Sequence, residues 1–223
     1  IKEVKLLDES IRTFNSVSED EAIRYGLGPF KQYCGYVMYA FASPNRPGKR
    51  VEFSSMSRNY RDRYLQSDST SFESAITRAK MYSATGAYEM IPKFLEGFIR
   101  SSKTEEEKAH LYYHCARAWE HMNKMDKAIV CYIKSADSDF KRPVRKYISL
   151  TKTAELLIDR GDYGRASKYI KIAAEDILSS KSLTLLSSTA ACMLNTSNVI
   201  ANVEKQRHRT ALLFIVIAAI SAF

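Results

Sequence analysis

The chain has 223 residues, 45% of them hydrophobic, with 34 Lys and Arg against 25 Asp and Glu and a formal net charge of +9. This length and apolar content exclude a disordered chain and suffice for one domain with its own core, alone or with a tail. Eight Gly and five Pro are few breaks in so long a chain, and the rest is rich in helix formers, so the expected class is all-α.

Residues 1–27 predict one or two short helices and do not read as a secretory signal. Ser18 is a candidate cap, and the carboxylates of Glu19, Asp20 and Glu21 suit the positive end of a helix. Then Tyr33, Tyr36, Tyr39 and Phe41, with Val37 and Met38, form an aromatic stretch between Pro29 and Pro44. It is too short, and too polar at Lys31, to span a bilayer. Two readings stand: an interfacial anchor whose neighbours Arg46, Lys49 and Arg50 meet anionic lipid, or a buried helix that caps the first repeat of the middle region. Residues 1–42 are taken as this helical and aromatic segment. Residues 43–70, rich in Pro, Ser, Asn, Arg and Asp, predict an exposed linker with a basic bias from Arg58, Arg61 and Arg63.

The middle of the chain repeats itself. In "SAITRAKMYSATGAYEMIPKFLEGF", "LYYHCARAWEHMNKMDKAIVCYIKSA" and "SLTKTAELLIDRGDYGRASKYIKIAA" a small residue (Ala79, Ala116, Ala154) is followed three positions on by a large one (Tyr82, Trp119, Leu157). A turn residue comes four later (Gly86, Asn123, Gly161), and then a second helical run. Equivalent positions lie 37 and then 38 residues apart. Physically this is a helical hairpin: a small residue lets the partner helix approach, a large one fills the gap one turn on, and Gly or Asn tolerates the left-handed conformation that ends a helix. On the second helix Ala128 and Ala166 are small again, with Tyr132 and Ile170 one turn on and Ser135 and Ala173 further along the same face. Stacked, three hairpins over residues 71–181 make a short superhelix with a concave face. A non-repeating helical bundle is the alternative.

These residues resemble the tetratricopeptide (TPR) repeat over roughly residues 71–178. The closing Pro is delayed to Pro143, and the first copy has Ile91 and Pro92 where a small residue and helix are usual. The period exceeds the family's ~34 residues and is similar to that of the SNAP family, the soluble adaptors of SNARE disassembly. The resemblance implies a short TPR-like α-solenoid that binds protein partners on the first helix of each pair, here through Lys80, Tyr113, Arg117, Thr151 and Lys152. The clamp that some TPR domains close on a chaperone's C-terminal carboxylate is not carried over, because Ile76 and Ile148 stand where its polar residues belong. Between repeats, Lys141, Arg142, Arg145 and Lys146 of "KRPVRK" form the densest basic patch. It is read either as a solvated loop or as a contact for acidic protein, lipid or RNA phosphate.

Residues 182–206 predict an uncharged packing helix and its basic flank: 182–203 carry no charge, yet ten of those twenty-two residues are Ser, Thr or Asn. Residues 207–223 turn apolar through Leu212, Leu213, Phe214, Ile215, Val216 and Ile217. The fourteen residues from Thr210 to Phe223 cover roughly 21 Å as a helix, against a hydrocarbon core of ~30 Å. Membrane insertion, docking into a partner protein and burial in the protein's own core compete for this segment; the preceding "EKQRHR" favours the membrane.

No catalytic constellation emerges: "YGLGPF" lacks the third glycine of a dinucleotide loop, and no phosphate loop or GxSxG is present. The four cysteines (Cys34, Cys115, Cys131, Cys192) contain no CxxC pair, so neither a zinc knuckle nor a disulfide framework is expected. His110, His114 and His121 with Cys115 lack the carboxylates that complete a metal site. The expected protein is therefore a non-enzymatic scaffold without cofactor. It would serve as an accessory subunit of a membrane-bound complex, through protein subunits as partners and a membrane anchor, with anionic lipid as a further contact and nucleic acid disfavoured. A mitochondrial membrane, inner or outer, is the expected location, with a cytosolic peripheral one as alternative. A SNAP-like adaptor and an RNA- or ribosome-associated repeat protein are the rival functions.

Overall fold

Ten α-helices follow one another in the computed structural model, which describes residues 2–142, 148–180, 194 and 197–214 and has no strand among them. They are α1 (Lys2–Ser16), α2 (Glu19–Arg24), α3 (Gly28–Asn45), α4 (Arg50–Ser67), α5 (Phe72–Ala84), α6 (Met90–Ser101), α7 (Glu105–His121), α8 (Met125–Phe140), α9 (Ile148–Asp159) and α10 (Tyr163–Ser180). Residues 197–214 are helical as well. Two compact units divide the chain, Ile1–Thr85 and Gly86–Phe223. The fold is all-α and TPR-like.

Local chemistry sets the helix boundaries. Ser18 opens α2 with a full capping box: its hydroxyl accepts from the Glu21 N–H at 3.1 Å, and the Glu21 carboxylate accepts from the Ser18 N–H at 3.0 Å. Thr104 opens α7 in the same way with Glu107. Satisfying an otherwise orphaned N–H this way is worth about 1 kcal/mol. Thr104→Ala is therefore expected to destabilise the second unit by about 1 kcal/mol, read as a shifted urea midpoint at unchanged slope. Between helices, Gly86, Asn123 and Gly161 take φ of +76°, +57° and +74°. These are the three turn positions of the repeat, each in the left-handed region that Gly or Asn occupies at low cost.

In the first unit α3 packs along α4. The expected linker is a correction: residues 50–67 are helix α4, with Phe53, Tyr64 and Leu65 buried. Pro44 lies within the last turn of α3 and Pro47 opens the turn that leads to α4, and the Arg-rich composition belongs to α4's polar face. There Arg61 pairs with Asp62, and Arg63 holds Glu19 in a two-pronged contact. That guanidinium keeps the Glu19 carboxyl below the usual carboxylate range. The aromatic stretch is divided: Tyr39 is 1% exposed and stacks on Tyr60, centroids 5.7 Å apart, with Phe14 edge-on to Tyr60 at 5.6 Å, whereas Val37 and Phe41 are exposed. Gly35 makes the approach possible, because a β-carbon there would sit 2.7 Å from the Tyr60 ring.

In the second unit α7 pairs with α8, α9 with α10, and α8 with α9. Ala116, Ala128, Ala154, Ala166 and Ala173 are fully buried, as is Tyr132; Leu157 is 1% exposed. These are the small and large positions of the repeat, and most join one core cluster. Where a hydroxyl replaces the usual methyl, it is satisfied. Ser135 donates to the Ala109 carbonyl at 2.7 Å and shares a 2.7 Å hydrogen bond with Ser149, tying α7, α8 and α9 together. Tyr132 donates to the Glu120 carboxylate at 2.6 Å; burial first, then this bond, pushes its phenol far up and keeps it neutral. Helix 197–214 joins this core through Ile200, which is buried, and its Arg207 lies over the Tyr163 ring at 5.9 Å.

Candidate functional site

A TPR-like hairpin binds through the first helix of each pair, so the outward residues of α7 and α9 are the candidates. On α7, Tyr113 and Arg117 are one turn apart on one face. Tyr113 is half-buried, with its ring edge-on to Tyr132 at 5.9 Å. Arg117 is exposed and makes no ion pair among the described residues. On α9, Thr151 is buried, and the Lys152 ammonium pairs with Glu155 at 2.5 Å. Lys80 is exposed on α5, in the first unit. The five expected groove residues thus differ in kind: Arg117 and Lys80 are open to a partner, Tyr113 offers one edge, Lys152 must leave a carboxylate, and Thr151 belongs to the packing.

The basic patch looks different in three dimensions from its sequence. Lys141 meets Asp137 at 2.7 Å and Glu105 at 4.0 Å; Arg142, its side chain only 11% exposed, bridges Glu106 at 2.7 Å and Asp139 at 3.1 Å. Half of "KRPVRK" therefore neutralises acids of α7 and α8 and fastens the end of α8. Arg145 and Lys146 lie outside the described residues.

A groove that sequence reading missed runs between α6, α7 and α8, with a volume of about 500 Å³. Ile99, Tyr112 and Ile133 supply its apolar walls, and the pairs Lys108–Glu105 (2.8 Å) and Lys141–Asp137 its polar ones. Lys134 crosses it, 5.5 Å over the Tyr112 ring. The available signal was a pair of large apolar residues that α8 leaves uncovered, Val130 at 50% and Ile133 at 39% exposed.

The histidines are dispersed rather than gathered. His121 stacks on Tyr88 at 4.4 Å, and His110 stands 3.9 Å from Glu106. Among the described residues no three His, Cys, Asp or Glu side chains come together as metal ligands would. Burial pushes the Cys115 thiol up to about 12, which keeps it protonated as a small packing group.

At the C-terminal side Leu212, Leu213 and Phe214 end the described helix and are 62%, 61% and 67% exposed. Ile215, Val216 and Ile217, with most of 182–196, lie outside the described residues. Among the described residues no helix is long and apolar enough to cross a membrane.

A family model, the SusR N-terminal TPR domain, matches residues 6–182. The match begins well before the first sequence repeat and takes in α1 to α4. It is to a TPR family rather than to the adaptors of SNARE disassembly. No curated protein matches the chain.

Proposed function

The chain belongs to the family of SusR N-terminal TPR domains, and from that premise we propose that it is a non-enzymatic scaffold whose second unit holds a protein partner, as an accessory subunit of a membrane-bound complex. TPR domains mediate protein–protein contacts, and the observation that carries the placement is Arg117. It is an exposed guanidinium on the first helix of a repeat, with no ion pair among the described residues and an aromatic edge one turn away. Arg beside an aromatic ring is the pairing on which interface energies concentrate. Lys80, exposed on α5, is a candidate contact of the first unit by itself. The described half of the basic patch is spent on internal acids, so partner binding falls to the helix faces rather than to that loop.

The membrane part is supported by position and charge. Lys205, Arg207 and Arg209 precede the exposed Leu212, Leu213 and Phe214, the order in which a basic flank precedes an inserted segment. The mitochondrial compartment expected from the net charge has no residue of the described structure to rest on, and an unspecified membrane is the version put forward.

A photo-crosslinking side chain placed at Arg117, and separately at Lys171 on the outer side of α10, tests both parts in membranes from cells expressing the full chain. A defined partner subunit crosslinked from position 117 and not from 171, in the carbonate-resistant pellet and lost from it when the chain ends at Gln206, is the expected result. Equal crosslinking from both positions removes the groove assignment. Release of both full and shortened chains by carbonate removes the anchor.

A further inference from the structure

One face of the α7–α8 hairpin layers cations over aromatic rings. Tyr112 and Trp119 lie two turns apart on the same side of α7; Arg117, two residues from Trp119 at about 100° per residue, stands on nearly the opposite side. Lys127 and Lys134 have the same two-turn spacing on α8 and cover these rings, Lys127 at 4.6 Å over Trp119 and Lys134 at 5.5 Å over Tyr112. Lys124, just before α8, lies 5.3 Å over Trp119 as well. All three lysines are exposed, and among the described residues none has a carboxylate partner. Val130, 50% exposed between Lys127 and Lys134, adds an apolar side chain to the stripe.

The acids of the two helices are engaged elsewhere. Glu120 accepts from Tyr132, and Asp126 pairs with Arg160 at 2.6 Å. Glu105 and Asp137 do line the groove at the Tyr112 end, but Lys108 and Lys141 meet them at 2.8 and 2.7 Å. The stripe therefore carries uncompensated positive charge toward Trp119, and at its other end a neutralised groove of about 500 Å³ walled by Ile99, Tyr112 and Ile133. A ring face holds a cation by only about 0.5–1 kcal/mol at an exposed site, and each ammonium, with three N–H donors, keeps donors for an incoming oxygen.

We propose that this face of α7 and α8 binds an acidic peptide segment, with carboxylates on Lys124, Lys127 and Lys134 and an apolar side chain in the groove beside Ile133. Charge complementarity selects the sign of the partner, and the groove selects the kind of chain. Along the helix axis Lys127 and Lys134 are roughly 10.5 Å apart, a span that an extended peptide covers in about three residues. A nucleic-acid strand fits less well: its charge is uniform and would meet Glu105 and Asp137, and the lysines occupy the ring faces on which bases would stack. The surface lies within the Gly86–Phe223 unit, on a different side of α7 from Arg117, and stands or falls apart from the assignment made there.

Trp119 is the single tryptophan of the chain, so its emission reports occupancy of this face and not of the apolar C-terminal segment. The probes, titrated into the full chain, are a glutamate–leucine peptide of about ten residues, roughly 33 Å when extended, its glutamine–leucine and all-glutamate counterparts, and oligothymidylate. The glutamate–leucine peptide is expected to give a saturable change and to bind at least tenfold more tightly than any of the others. Lys127→Glu combined with Lys134→Glu, both at exposed positions, is expected to weaken it at least tenfold. Ile133→Asp, which alters the groove and leaves the lysines in place, is expected to weaken it at least fivefold, and Lys168→Glu on α10, the control for lost net charge, less than twofold. Absence of a saturable change, equal affinity for the glutamine–leucine or the all-glutamate peptide, or an equal loss with Lys168→Glu and with the paired lysine reversal overturns the proposal. So does tighter binding of oligothymidylate than of the glutamate–leucine peptide, which would make the face a nucleic-acid contact.

Discussion

Leu157→Ala is expected to destabilise the Gly86–Phe223 unit by about 2–5 kcal/mol, the range for removing a large aliphatic side chain from a packed core. Leu157 is 1% exposed and belongs to the cluster of Ala116, Ala128, Tyr132, Ala154 and Ala166. The same cluster also holds Ile129, Leu156, Ile170 and Ile200, whose longer side chains can relax partly into the space. Collapse of the helix backbones is opposed by Ser135 and Ser149, which tie α8 to α9 through their hydroxyls. The cost should therefore fall near the middle of the range. Urea unfolding of the full chain, followed in the tryptophan fluorescence of Trp119, reads the change as a lower midpoint. Ile133→Ala, at a 39% exposed position on α8, is the matched control and should cost far less. Equal losses at the two positions would mean that the repeat core is not where the stability of this unit resides.

The second large effect concerns backbone approach rather than side-chain volume. Gly35→Ala places a methyl 2.7 Å from the Tyr60 ring and 3.0 Å from Phe14, and neither ring is free to swing away. Tyr60 stacks on Tyr39 and meets Phe14 edge-on. Helix propensity alone would make this substitution favourable by about 1 kcal/mol; the clash reverses the sign, and a net loss of about 1–3 kcal/mol is expected, as for other overpacked cores. Gly97→Ala makes the comparison within the same protein. Gly97 lies inside α6 with nothing within 4 Å of its would-be β-carbon, so propensity acts unopposed and stability should rise by about 0.5–1 kcal/mol. A neutral Gly35 variant would contradict the packing of α3 on α4, and a destabilising Gly97 variant the open space beside α6. Thermal unfolding of both variants beside the parent chain distinguishes the outcomes.

Much of the second unit is legible in the sequence. Ala116, Ala128, Ala154 and Ala166 announce themselves by spacing, because a close helix–helix contact tolerates only a small side chain and recurs once per hairpin. Asn123 and Gly161 announce themselves by backbone preference, since few residues accept positive φ. Both are local properties, and local properties are written in short stretches of sequence. The candidate site is legible only in part. Tyr113 and Arg117 share a face by spacing alone, but that Thr151 would be buried and Lys152 paired depended on how α9 packs.

Residues 43–70 show where local reading stops. Their prolines and arginines have the composition of a linker, and composition does not say whether Phe53, Tyr64 and Leu65 will find a surface to cover them. Helix α3 provides that surface, and the segment folds as α4 against it. Charge behaved likewise: Lys141 and Arg142 read as a free basic patch until folding brought Glu105 and Glu106, some 36 residues away in sequence, within reach.

The sequence by itself determined the helical class, the register of the repeat, its turn residues and the alanines at its contacts, since each arises from periodicities and dihedral preferences that a few neighbouring residues set. Only the tertiary structure decided that α4 is core rather than connection, that half the basic patch is internally neutralised, and that Lys31 is buried at the start of α3 over the Phe14 ring. Those outcomes depend on which distant groups share a space, and the energy of a buried charge or an uncovered apolar face is set by that company rather than by the residue itself.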